Sequence, residues 1–118
     1  MKTPEQITNS LVKEFDKLND IREQSLKLSR EIIKSCSKSI RNVHRNNLDE
    51  AKQHLDEANK NYQDLRSSLK DIPELRFAGY VNDSERELIE AFLVFEFEKT
   101  NSLLKFEGMN VSASNYIQ

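Results

Sequence analysis

Six cations, Lys27, Arg30, Lys34, Lys38, Arg41 and Arg45, follow one another at steps of three and four residues. On an α-helix that spacing places them on one face. The apolar set Leu28, Ile32, Cys36, Ile40 and Val43 takes the roughly opposite face. From Arg22 to Arg45 seven basic residues meet two acidic ones, a local charge of +5 in a chain whose net charge is −2. A row of cations about 5–6 Å apart can track a phosphate backbone and release its counterions. The same row also suits a solvated helix face, or a surface pairing with an acidic helix.

A second constellation is acidic. Asp83, Glu87 and Glu90 fall on one helical face, and Glu87 and Glu90 sit in the most apolar stretch of the chain. From Asp83 to Glu98 there are six acids and one base. Carboxylates in apolar surroundings need compensation, and Mg²⁺ is held by a few carboxylates plus water. The plainer reading makes Glu87 the partner of Ser84 in a helix-capping box and pairs Glu90 with an arginine. His44 and His54 stand ten residues apart without a ligand cluster and read as surface residues. Cys36 reads as a small core residue. Phe77 and Tyr80 flank Gly79; stacking on bases is open to them, packing over helix ends more so. No Gly-rich phosphate loop or nucleophile elbow occurs.

These residues need helices to position them. Thr3 as cap, Pro4 in the first turn and Glu5-Gln6 after it open a first helix. Its stripe runs Ile7, Leu11, Phe15, Leu18, Ile21, then resumes at Leu28. The drift between the two sets implies a bend or a changed contact surface near Gln24-Ser25. The helix is expected to end near Arg45-Asn46. Asn47, with Glu50 at the capping-box position, opens a second helix whose seam is Leu48, Ala51, Leu55, Ala58, Tyr62, Leu65 and Leu69, a heptad pattern. So short a link implies an antiparallel hairpin.

Pro73 and Gly79 punctuate residues 71–83, read as a break. A third helix is expected from Ser84 to about Phe106, stopped by Gly108. Ser112 or Ser114 would open a fourth. The third helix is apolar on most sides from Leu88 to Phe97 and belongs at the centre of something. Phe92, Phe95 and Phe97 point in different directions, so self-association, at least to a dimer, is expected.

The chain has 118 residues, 36% of them hydrophobic and 32% charged, which suits one all-α domain of long helices with wide wet faces. Two glycines and two prolines are too few for a sandwich or barrel. A generally basic nucleic-acid binder is excluded, so any such binding must come from a local patch. No stretch approaches the ~18 apolar residues of a membrane span, and the residues after Met1 lack a signal peptide's apolar core. A lone cysteine forms no internal disulfide, so a reducing, cytoplasmic setting is expected.

The stretch from Asp20 to Ile33 and the segment Ile40 to Arg45 resemble the first helix of the translin family. Pro73-Glu74-Leu75, Ala78-Gly79-Tyr80-Val81, Asp83 and Glu87-Leu88-Ile89-Glu90-Ala91 are similar, in order and spacing, to its archaeal members. The resemblance covers roughly residues 18–98. It implies an antiparallel all-α bundle in subunits that assemble into hollow shells and bind single-stranded RNA or DNA. The partner chains would be copies of this chain or a related translin-family chain. In the translin-associated factor X branch such subunits cut RNA with Mg²⁺, which would make Glu87 and Glu90 catalytic and, with Asp83, metal-binding. Family chains are considerably longer, and a later helix supplies a further acid. The sequence reads as a fragment or a shortened member, with little or no cleavage expected from this chain alone. A structural assembly protein is the third reading.

Overall fold

The structure, a computed structural model, describes residues 1–76 and 78–110, with side chains on the last helix described as far as Leu104. Four helices follow in order: α1 Pro4–His44, α2 Leu48–Leu69, α3 Pro73–Arg76 and α4 Gly79–Asn110. There is no strand among the described residues, so the all-α class stands.

α1 starts where its signals place it. The Thr3 side chain accepts from the Gln6 backbone N–H at 3.2 Å, and Gln6 Oε1 accepts from the Thr3 N–H at 2.9 Å. This reciprocal box satisfies two of the N–H groups that a helix end leaves without partners. At the other end Asn46 takes φ 60°, a left-handed conformation that asparagine tolerates better than most residues. The Asn46 N–H then donates to Val43 O at 3.0 Å and the Asn47 N–H to Asn42 O at 2.8 Å. Those two bonds form a Schellman stop, with asparagine where glycine is usual, and they turn the chain directly into α2. Asn47 is the residue before α2, but its side chain makes no capping bond, so the expected box with Glu50 is not formed.

The heptad seam of α2 packs as its spacing requires. Ala51, Leu55, Ala58, Tyr62, Leu65 and Leu69 are all buried, and Leu48 is half-buried. They meet Ile32, Cys36 and Val43 from α1, and Ala91 and Phe95 from α4. α1, α2 and α4 thus form a three-helix bundle. α2 runs antiparallel to α1 and α4 runs parallel to it: Tyr80 and Ser84 lie beside Ser29, whereas Leu93, Val94 and Phe97 share a groove with Val43 and His44.

Residues 71–83 are not a continuous break. α3 occupies Pro73–Arg76, and α4 begins at Gly79, five residues before Ser84. Ser84 therefore sits inside a helix, fully buried, and donates back to Tyr80 O at 2.9 Å. The capping box with Glu87 does not exist, because a residue can cap only where the preceding chain is not helical. α4 also continues through Gly108 to Asn110. The helix expected at Ser112 or Ser114, and the role considered for Phe77, lie outside the described residues.

The molecule is a rod of 85 × 21 × 17 Å. α1 alone spans about 60 Å at 1.5 Å per residue. Its first seventeen residues are all exposed, and burial begins between Ile21 and Ser25. The stripe shift near Gln24-Ser25 is thus the point where α1 enters the bundle. Ile7, Leu11, Phe15 and Leu18 continue the packed seam outward but remain exposed. At the opposite end α4 runs on beyond the α1–α2 turn.

Candidate nucleic-acid interface

The basic residues are held by the part of α1 that packs. Ile32, Cys36 and Val43 are anchored against α2 and α4, which fixes the rotation of α1 and turns its other side to solvent. Lys27, Arg30, Lys34, Arg41 and Arg45 are exposed, and Lys38 is half-buried. The six span about 27 Å of helix at 1.5 Å per residue. Among the described residues the ion pairs are His54–Glu57 at 4.0 Å and Arg86–Asp83 at 3.6 Å, and neither uses a cation of the row. The reading of the row as the partner of an acidic helix in the same chain therefore has no contact behind it. A long, straight, unneutralised row of ammonium and guanidinium groups offers point charges and bidentate forks to phosphate oxygens.

The rigidity beneath that row depends on residues that apolar periodicity overlooks. Ser25, Ser29, Ser35 and Ser39 are buried on α1, and Ser84 on α4. Four of these hydroxyls reach backbone carbonyls: Ser25 at Ile21 O (2.8 Å), Ser39 at Ala51 O (2.8 Å), and Ser29 and Ser84 at Tyr80 O (3.0 and 2.9 Å). Serine at these positions keeps the side chain small, and the four bonded hydroxyls have the partners that buried polar groups need. The signal in the sequence was the step of three and four that joins these serines to Ile32, Cys36 and Val43.

The acidic residues are placed differently. Glu87 is half-buried, while Asp83 and Glu90 are exposed. Asp83 faces Arg86, one turn along its own helix. Glu87 and Glu90 stand close enough to the α1 seam to act on Cys36: burial first, then these two carboxylates, pushes the Cys36 thiol up to about 11. Among the described residues no group of three His, Cys, Asp or Glu side chains is arranged to hold a metal ion. Glu87 and Glu90 can offer Mg²⁺ two carboxylates one turn apart, and a fuller set would have to come from elsewhere.

Tyr80 is half-buried, and its hydroxyl is enclosed without a hydrogen-bond partner. It lines a groove with Phe15, Leu18 and Arg22 of α1. His44 is exposed and His54 half-buried. Cys36 is in the core, as its place on the apolar stripe implied. No helix among the described residues is long and apolar enough to cross a membrane.

No protein-family model matches the chain, and no solved structure matches it. An uncharacterized protein of Methanocaldococcus jannaschii is 32% identical over 111 residues, which are 92% of this chain and 49% of that protein. The chain therefore spans about half the length of the curated relative it matches.

Proposed function

We propose that this chain binds single-stranded nucleic acid, RNA or DNA, along the outer face of α1, in the manner the translin resemblance implies. The observation that carries the reading is the row Lys27, Arg30, Lys34, Lys38, Arg41 and Arg45. It lies opposite the packed seam, is almost wholly solvent-exposed, and makes no ion pair among the described residues. Phosphate contacts of this kind position a strand and give affinity without reading its sequence. The test is fluorescence anisotropy with a labelled single-stranded oligonucleotide. Replacing Arg30, Lys34 and Arg41 together by Gln weakens binding to all sequences alike. Undiminished binding by that triple variant moves the interface off α1.

A further inference from the structure

The charged row on the outer face of α1 does not stop at Lys27; it changes sign there. Toward the N-terminus, at the same steps of three and four residues, the next positions on that face are Glu23, Asp20 and Asp16. All three are exposed, and they belong to the same unbroken helix as the cations. Among the described residues none of the three is in an ion pair. Lys13 comes next, at the edge of the face and about 21 Å of helix from Lys27. Glu14 and Lys17 point to other sides, and Arg22 lines the groove beside Phe15, Leu18 and Tyr80. Between Lys27 and Arg45 the one carboxylate on α1 is Glu31, which stands at the edge of the row next to Arg30. Read along its length, the outer face is three carboxylates followed by six cations.

We infer that Asp16, Asp20 and Glu23 set the length of strand this chain holds: the track ends between Glu23 and Lys27, and its footprint is about six phosphates, one for each cation. This inference rests on the reading of the row as a nucleic-acid interface and adds its boundary. A strand lying on the six cations and continuing straight along α1 meets the three carboxylates in turn. The spacing of the row is about 5–6 Å, inside the screening length of about 8 Å at physiological salt, so each carboxylate repels the phosphate above it. No counterion is displaced from a carboxylate by a phosphate, so the salt-dependent gain that holds the strand on the cations is absent there. The strand therefore leaves the rod at Lys27, and Lys13 stays out of reach behind the acidic block. The three carboxylates are positioning residues for the strand's end and make no contact that holds it. Length is thereby selected without any reading of bases, because the boundary acts on the phosphate backbone alone.

The test is the slope of log K against log salt, which counts the phosphates engaged whatever the number of registers a long strand offers. The probe is a labelled single strand of about eighteen nucleotides, roughly three times the footprint. The unmodified chain should give a slope near −4 although the strand is long enough to cover the whole face. Asp16→Lys, Asp20→Lys and Glu23→Lys together should steepen it to about −6 or beyond, because the track then runs on past Lys27. All three positions are exposed, so circular dichroism of this variant should match that of the unmodified chain. Asp49→Lys, Asp56→Lys and Glu57→Lys on α2, also exposed, change the net charge equally and should leave the slope near −4. A slope of about −6 in the unmodified chain overturns the inference. So does an acidic-block variant that keeps the original slope, or an α2 variant that steepens it as much, which would reduce the effect to net charge. Replacing Arg30, Lys34 and Arg41 by Gln separates the two failures. If that variant binds as the unmodified chain does, the interface itself is misplaced; if it binds more weakly while the acidic block proves indifferent, the boundary alone is wrong.

Discussion

Ser29 on α1 and Ser84 on α4 meet hydroxyl to hydroxyl inside the bundle, and both reach the carbonyl oxygen of Tyr80, at 3.0 and 2.9 Å. Two hydroxyls carry two protons, so three contacts share them: one serine donates to Tyr80 O and the other donates to the first serine or to the same oxygen. This is where the start of α4 is fastened to the helix that carries the basic row.

Replacing Ser84 by Ala leaves Ser29 as a donor to Tyr80 O, and a loss of about 1 kcal/mol or less is expected in urea unfolding. Ser84→Leu forces a large side chain into a fully buried site, and overpacking of this kind costs about 1–3 kcal/mol. Equal stability of the Leu variant and the unmodified chain would show that α1 and α4 are not in close contact here.

Leu65 is fully buried in the seam of α2. Truncation to Ala is expected to cost about 2–5 kcal/mol, the range for a core leucine. Leu11, exposed on the projecting part of α1, should cost far less when truncated in the monomeric state. A thermal melt of each variant checks the contrast.

The contrast also marks what the sequence could and could not disclose. Leu55 and Leu65 were legible because a heptad seam on a 22-residue helix has one consistent buried side. Leu11 and Phe15 follow the same spacing and are exposed, since periodicity shows which side of a helix is apolar but not where its neighbours stop. Gly79 and Ser84 misled for a related reason. They resemble punctuation locally, yet tertiary packing carries α4 through Ser84, whose hydroxyl finds its carbonyl inside the helix. The basic row was legible as a face. That it stays free of carboxylate partners came only from the packing.

Cys36 gives a pH signature. Burial, then Glu87 and Glu90, raises its thiol from 9.0 to about 11. The folded state therefore keeps its proton where the unfolded chain has lost it. The resulting stability is fully present below pH 9 and is lost as pH rises toward 11. Tyr62, raised by burial and then by Glu85, acts in the same direction. Urea midpoints at pH 8 and pH 11 should fall less in Cys36→Ala than in the unmodified chain. An identical fall in both would remove Cys36 as a cause.

Incubated with Mg²⁺, this chain by itself is expected to leave single-stranded RNA uncut or nearly so, because Asp83 faces Arg86, and Glu87 and Glu90 are then the two carboxylates offered to the ion. Brisk cleavage abolished by Glu87→Gln and Glu90→Gln would make these two carboxylates catalytic after all. Cleavage indifferent to both substitutions would point to another site or a contaminant.

The salt dependence of single-strand binding tests the central claim most directly. Each phosphate contact contributes about 0.7 to the slope of log K against log salt for a single strand. If all six cations of α1 engage the strand, the slope is near −4, and it falls to about −2 when Arg30, Lys34 and Arg41 are replaced by Gln. A flat salt profile, or a slope unchanged by the triple substitution, would contradict binding along the outer face of α1.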